Sequence, residues 1–140
     1  ILSHLTGLMG LTIPTVNSFR RVGPGCWTGS SVGWATEDKE CGVRACSDLA
    51  TCEWRHFELK FIDHTCNIYL AMAAILFAGL QGIENSMTLR EPLHQDSSPT
   101  LLPSSVFEAL DALENDASLM SLLGPPLSKA YLAVRRHDAE

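Results

Sequence analysis

The stretch RHFELKFIDHTCNIYLAMAAILFAGLQ, residues 55–81, joins the clearest strand pattern of the chain to its clearest helix pattern. Over residues 55–63 the side chains alternate between two faces, as they do along a β-strand. One face carries Phe57, Leu59 and Phe61, and the other carries His56, Glu58, Lys60 and Ile62. Residues 65–81 are mostly apolar, which predicts a buried helix that Thr65 or Asn67 caps and Gly82 ends.

The segment before this strand holds short, interrupted patterns. Residues 1–10 have the pattern of a helix end closed by Gly10, and Pro14 limits residues 11–16 to an edge strand or extended segment. Residues 21–31 are rich in glycine and predict a loop whose backbone can approach a ligand closely. Residues 32–36 and 41–45 are strand candidates, and the charged turn between them predicts an antiparallel hairpin.

The segment after the long helix predicts a loop and further helices. Residues 91–103 are polar and contain proline, which favours a loop. Ser105 and Glu108 fit a capping box that opens a helix with Val106, Leu110 and Leu113 on one face. A short turn at residues 118–123 and a final helix at residues 128–137 follow. Strands first and helices after predict an α+β fold.

Composition narrows the class of protein. The chain has 140 residues, which suits one domain, and its formal net charge of -6 gives no basic field for a nucleic-acid backbone. The longest apolar run, residues 68–82, is short for a membrane span and predicts a core helix. Five cysteines without a CxxC pair favour reduced thiols in a cytoplasmic protein, with a Cys46–Cys52 disulfide as the alternative. The first residue is Ile1, which indicates a piece of a longer chain.

Four cations and one carboxylate stand out on the strand-and-loop half. Glu58 and Lys60 share one face of a strand, about 7 Å apart. Arg21 precedes the glycine-rich loop, and Lys39 and Arg44 flank the second strand candidate. Arginine forks suit phosphate or carboxylate oxygens, and a carboxylate suits Mg²⁺ or Mn²⁺. The pattern therefore predicts a site for a phosphorylated anion and a metal ion; solvated charges on an open sheet face are the alternative.

Three separated motifs carry a family resemblance. They are Asn17-Ser18-Phe19-Arg20-Arg21 with Gly23-Pro24-Gly25; Trp34-Ala35-Thr36-Glu37-Asp38-Lys39-Glu40 with Arg44; and Phe57-Glu58-Leu59-Lys60 with Asp63, Asn67 and residues 69–76. In this order they resemble the NSYKR…PG, W-G-x-x-N-R…R and E-x-R…D…ANPYL-ALAA-IL-AG segments of glutamine synthetases. Matches at Glu91-Pro92, Leu102–Ser105 and Arg135-Arg136 extend the resemblance over nearly the whole chain.

The resemblance implies a role for each candidate residue. Arg21 would bind on the glutamate side near the transferred phosphoryl group, and Lys60 replaces an arginine that contacts glutamate and the γ-glutamyl phosphate. Lys39, which also replaces an arginine, and Arg44 would hold the nucleotide phosphates. Glu58 would be a ligand of one of two divalent metal ions.

The resemblance also implies a fold, a reaction and an assembly. The fold would be the antiparallel sheet portion of the glutamine synthetase/guanidino kinase catalytic fold followed by C-terminal helices, with residues 1–140 as a C-terminal fragment. ATP, with Mg²⁺ or Mn²⁺, would activate the γ-carboxylate of glutamate for attack by ammonia or an amine. The full-length protein would form a ring oligomer, and the fragment alone would be inactive.

Departures from the family pattern affect which amine is expected to accept the glutamyl group. Trp27 stands where many glutamine synthetases place a loop glutamate that closes over the ammonium site, so a larger amine, such as a polyamine or an aromatic amine, becomes an alternative to ammonia as the nucleophile. The Glu-x-Lys pair and Trp27 are more similar to the fungal and plant glutamine-synthetase-like proteins. One alternative is a regulatory module with weakened catalysis. A second, transfer of phosphate to a guanidino group, is disfavoured by the Glu-x-Lys pair and the helix that resembles the NPYL segment.

Overall fold

The computed structural model describes residues 1–48 and 50–140 and shows an α+β fold, as expected. The helices are α1 (Leu5–Thr12), α2 (Ile68–Glu84), α3 (Val106–Asn115) and α4 (Ala117–Asp138). The strands are β1 (Trp34–Thr36), β2 (Val43–Ser47) and β3 (Trp54–Leu59), which form one sheet in the order β1-β2-β3. Short 3-10 turns lie at Leu2–His4, Val16–Arg21 and Leu93–Gln95.

Helix α1 is the centre of the helical core. It continues through Gly10 to Thr12, so the predicted end at Gly10 is wrong. A side chain at Gly10 would place its Cβ 2.9 Å from the Ala109 carbonyl oxygen, so glycine is needed here for the close approach of α3. Of residues 11–16, predicted as an edge strand or extended segment, the first two complete α1, Thr15 is extended, and Val16 begins a 3-10 turn.

Helix α2 follows the predicted cap and overruns the predicted end. The Asn67 side chain accepts hydrogen bonds from the Tyr69 and Leu70 amides, which confirms one of the two candidate caps. The helix passes through Gly82 and ends at Glu84. Its buried residues are three alanines, Ala71, Ala74 and Ala78, whereas Leu76, Leu80 and Ile83 are exposed.

Helix α3 begins at the predicted cap, and α4 contains a break. The Ser105 hydroxyl accepts from the Glu108 amide, and Val106, Leu110 and Leu113 are buried as predicted. The predicted short turn and final helix belong to α4, which is interrupted at Gly124 (φ 72°, ψ 157°). Only glycine adopts this conformation readily, and the two prolines after it suit the first turn of the second segment.

The sheet is mixed rather than wholly antiparallel. Strands β2 and β3 are antiparallel, but β1 and β2 are parallel with Trp34 opposite Val43, so the predicted hairpin is wrong. After β1 the chain turns at Glu37 (φ 56°) and crosses to the glycine-rich loop, where the Glu40 carboxylate accepts two amide hydrogens. This connection brings the chain back to the start of β1, so that β2 runs in the same direction as β1.

Strand β3 ends earlier than predicted, and its two faces differ. Past Leu59 the chain bends inward, so Phe61 is buried in the core while Phe57 stays half exposed. Phe57 lines an apolar cleft of about 770 Å³ on the side of the sheet away from Glu58, together with Trp34, Trp54 and Ile83. Glu58 is therefore presented on the opposite face from this cleft.

Two further expectations concern the cysteines and the membrane. All five cysteines lie among the described residues and are free thiols, so the Cys46–Cys52 disulfide does not form. Within the described ranges, none of the helices combines the length and the apolar character that crossing a bilayer requires.

Candidate active site

The structure places all six residues singled out from the sequence around one depression of about 540 Å³. The depression lies between the glycine-rich loop, the connection before β2 and the polar face of β2 and β3. The six residues are Arg21, Trp27, Lys39, Arg44, Glu58 and Lys60. Four cations around one carboxylate give this surface a positive charge in a chain that is acidic overall.

Arg44 and Glu58 form the floor of the depression. They are register partners on β2 and β3, and Arg44 Nε lies 3.1 Å from Glu58 Oε2. The contact has the distance of an ion pair but not the angle of a hydrogen bond, so the buried Nε–H has no acceptor among the described residues. A buried donor without an acceptor is destabilising, and an anionic oxygen in the depression would supply one.

Arg21 is held at the rim by backbone oxygens. Its guanidinium donates to the Ile62 and Lys60 carbonyls at 3.2 Å, and its Nη1 lies 3.9 Å from Asp63. Burial raises the pKa of Asp63, but hydrogen bonds with Thr65 and Ser18 and the charge of Arg21 outweigh burial and hold that pKa below its ordinary value. Asp63 therefore stays ionised and anchors the guanidinium.

Lys60 and Lys39 both contact the Trp27 loop. Lys60 Nζ donates to the Trp27 carbonyl at 2.9 Å and to the Lys39 carbonyl, which uses two of its three N–H groups. The Lys39 ammonium lies 4.8 Å from the centre of the Trp27 ring, within cation–π range. Both lysines thus line the depression while part of their bonding capacity is used by the protein itself.

Trp27 stands at the rim in an unusual backbone conformation. Its φ of 61° lies in the left-handed region, and its ring is 62% exposed. Such a conformation costs a non-glycine residue on the order of 1–3 kcal/mol and persists only where neighbouring contacts fix it. Those contacts come from Glu40, which sequence reasoning missed because no local pattern links residue 40 to residues 25 and 27.

The residues present suit a phosphate better than a complete metal site. Four cationic side chains and the Nε–H of Arg44 match the oxygens of a phosphoryl group. A divalent ion needs several oxygen ligands, and the described residues contain no grouping of three acidic, histidine or cysteine side chains that would hold one. Within the described part, Glu58 is the single carboxylate that lines the depression, so this chain offers one ligand.

The chain is an α+β domain with a depression lined by four cations, and comparison with known proteins identifies its family. The sequence profile described as "Glutamine synthetase, catalytic domain" matches residues 1–140. The chain belongs to the glutamine synthetase family. The family has a ligase-type role.

Three curated relatives show the range of this family. The chain is 38% identical to type-1 glutamine synthetase 1 of Dictyostelium discoideum, covering 96% of the chain and 28% of the relative. It is 34% identical to protein fluG of Emericella nidulans, covering 100% and 17%. It is 33% identical to gamma-glutamylpolyamine synthetase GlnA3 of Streptomyces coelicolor, covering 99% and 33%. The chain thus spans a third or less of each of these relatives.

Solved structures share the fold. A crystal structure described as a novel glutamine synthase homolog superposes with a TM-score of 0.80 at 33% identity, covering 98% of the chain and 32% of that structure. A GmaS/ADP complex superposes with a TM-score of 0.77 at 29% identity, covering 98% and 33%. These matches confirm the expected fold, including the sheet followed by helices.

Proposed function

We propose that the full-length protein containing this chain is an ATP-dependent carboxylate–amine ligase. It joins an amine to the γ-carboxylate of glutamate through γ-glutamyl phosphate and releases ADP and phosphate. The observation that carries the proposal is the convergence of Arg21, Lys39, Arg44 and Lys60 with Glu58 on one depression, in a chain that matches this family from residue 1 to residue 140.

We assign the four cations to two parts of the reaction, the nucleotide and the glutamate. Arg44 and Lys39 hold the phosphates of the nucleotide, and the Nε–H of Arg44 has no acceptor among the described residues until an anionic oxygen arrives. Arg21 and Lys60, which line the same depression, hold the glutamate carboxylate and the transferred phosphoryl group. Preformed charges of this kind stabilise the negative charge that builds up during phosphoryl transfer.

Glu58 is proposed as one ligand of a divalent ion. Mg²⁺ or Mn²⁺ neutralises phosphate charge when it is bound. Glu58 is the right residue type for such an ion, and its side chain is 45% exposed toward the depression. The remaining ligands belong to the parts of the full-length protein that this chain does not span.

The acceptor is proposed to be an organic amine rather than ammonia alone. Trp27 presents an exposed ring at the rim, and its contact with Lys39 shows that the ring accepts a cationic group. A relative described as a gamma-glutamylpolyamine synthetase is consistent with an acceptor of this class. Self-association into a ring and a cytoplasmic location complete the proposal.

A screen of acceptors tests this function. The full-length protein is incubated with ATP, Mg²⁺, glutamate and a panel of ammonia, polyamines and aromatic amines, and phosphate release and the mass of the γ-glutamyl amide are recorded. We expect glutamate-dependent phosphate release that one class of amine stimulates. Absence of amine-dependent product with every member of the panel would overturn the assignment.

A second candidate is a regulatory module derived from such a ligase. The engagement of Arg21 and Lys60 by backbone carbonyls favours it, because these donors are less free for substrate than the family pattern implies. The same screen separates the two candidates, since a regulatory module that still binds ADP would show nucleotide binding by calorimetry without amide formation.

A further inference from the structure

The backbone of Trp27 is held from both sides. Its N–H donates to Glu40 Oε1 at 3.1 Å, and its C=O accepts from Lys60 Nζ at 2.9 Å. The second oxygen of Glu40 accepts from the Gly25 amide at 3.1 Å. One carboxylate and one ammonium group therefore grip the tip of the glycine-rich loop, and we call Glu40 and Lys60 the loop clamp.

The clamp acts on the tip of the loop, whereas Thr28 holds its base. The buried Thr28 hydroxyl accepts from the Gly23 amide and donates to the Arg21 carbonyl. The Trp27 ring is mostly exposed, so core packing does not fix it. Gly25 and Gly29 on either side of Trp27 also have positive φ, which makes the segment easy to deform. At Gly29 the loop backbone touches the backbone of Glu40 itself, where an added Cβ would lie 2.6 Å from the Glu40 carbonyl oxygen.

We propose that Glu40 is a positioning residue that, with Lys60, fixes Trp27 as a preformed wall for the amine acceptor. Glu40 does not line the depression; it acts through the loop. The role of this wall in acceptor binding rests on the proposed ligase function, whereas the clamp itself is independent of it. When the aromatic ring is already fixed, binding of the acceptor does not have to order the loop. The entropy cost of binding is then smaller, which lowers the KM for the acceptor.

The geometry also favours one chemistry for the acceptor. An exposed tryptophan ring binds a cation over its face and apolar carbon along its edge. An amine that carries a second, protonated nitrogen on an aliphatic chain offers both contacts. Ammonia has no carbon chain and offers at most the first. A substituted amine therefore suits this wall better than ammonia does.

Hydrogen exchange of the full-length protein tests the clamp directly. Glu40→Ala removes both acceptors, and Glu40→Gln keeps the length of the side chain but only one carbonyl oxygen. Glu37→Ala is the matched control, because Glu37 lies on the same connection but bonds to Ser47 at the other end. We expect faster exchange in the peptide covering residues 23–29 for Glu40→Ala, a smaller increase for Glu40→Gln and no change for Glu37→Ala.

Steady-state kinetics of the same variants test the positioning role. We expect Glu40→Ala to raise the KM for the amine about tenfold while the KM for ATP stays within about twofold, as expected when one ordered wall is lost. Unchanged exchange at residues 23–29, or a fall in kcat with the amine KM unchanged, would overturn the proposal. If no amine is a substrate, the ligase function fails by itself, and the exchange result still decides whether the clamp exists.

Discussion

Arg44 and Glu58 face each other across β2 and β3, with Nε 3.1 Å from Oε2. The pair places a cation suited to phosphate next to a carboxylate suited to a metal ion. Since the Nε–H of Arg44 lacks a true acceptor among the described residues, the two side chains are neighbours without being locked together. In the proposed function, Arg44 contacts the nucleotide phosphates and Glu58 is a ligand of a divalent ion.

Replacing Glu58 tests its proposed role as a metal ligand. We expect Glu58→Ala in the full-length protein to lower turnover by orders of magnitude and to raise the Mg²⁺ concentration needed for half-maximal activity, because phosphate charge loses a counter-ion. Initial rates over a Mg²⁺ titration measure this. Glu53→Ala, an exposed carboxylate just before β3, is the control. Near-normal activity of Glu58→Ala would remove Glu58 from the site.

Replacing Trp27 tests the choice of acceptor. Trp27→Glu introduces a carboxylate at the rim, which attracts a small ammonium ion and removes the aromatic face. We expect the ratio of kcat/KM for ammonia to kcat/KM for an organic amine to rise about tenfold or more. Trp27→Phe keeps an aromatic ring and should retain the preference for the organic amine. An unchanged ratio in Trp27→Glu would contradict our interpretation of this loop.

A pair of glycine substitutions tests how closely the helices pack. Gly10→Ala forces a Cβ against the Ala109 carbonyl, and we expect it to lower the free energy of unfolding of this chain by about 1–3 kcal/mol. Gly79→Ala in α2 is the matched control, since within the described structure its Cβ meets no atom within 4 Å. There we expect a gain of about 0.5–1 kcal/mol from helix propensity. Urea denaturation measures both, and equal effects would refute the packing argument.

A hydrogen bond between α4 and α1 gives a prediction about pH. Pro14 has no amide hydrogen for the Gly10 carbonyl, and the buried Tyr131 hydroxyl donates to it at 2.8 Å instead. We expect Tyr131→Phe to lower the free energy of unfolding by about 1–3 kcal/mol at neutral pH, because a buried carbonyl loses its partner.

The effect of Tyr131→Phe should shrink in alkali. Burial raises the pKa of Tyr131 above its ordinary value, so above about pH 10 the unfolded chain loses this proton while the folded chain keeps it. The stability contributed by the protonated hydroxyl therefore falls as pH rises through that window. Urea titrations of both proteins at several pH values measure the difference, and a constant difference up to pH 11 would contradict the assignment.

The sequence predicted a helix end correctly where that end depends only on residues nearby in the sequence. Asn67 and Ser105 cap α2 and α3 as expected because a cap involves only the next turn. The ends at Gly10 and Gly82 were wrong, because both glycines keep helical backbone angles and neither has the positive φ with which a glycine closes a helix. At Gly10 the contact with α3 decides the outcome, and it joins residues that are far apart in the sequence.

The site was predictable in membership but not in detail. Alternation along residues 57–60 and the family resemblance brought Glu58, Lys60 and the arginines together. The clamp on Trp27 was not predictable, because it depends on Glu40 reaching a loop more than ten residues earlier in the chain. The parallel pairing of β1 with β2 was not predictable either, because a charged turn between two strand patterns favours a hairpin. Backbone carbonyls as partners of Lys60 leave no trace in the sequence at all.

Helix α2 turns Ala71, Ala74 and Ala78 inward and Leu76, Leu80 and Ile83 outward. The small alanine side chains let the helix lie close to α1, while the larger side chains of Leu76, Leu80 and Ile83 are exposed. Expressed as a separate piece, this chain should therefore be poorly soluble and should bind hydrophobic dyes in its native state. Structural work on it will need detergent, a solubilising fusion or the rest of the polypeptide from the outset.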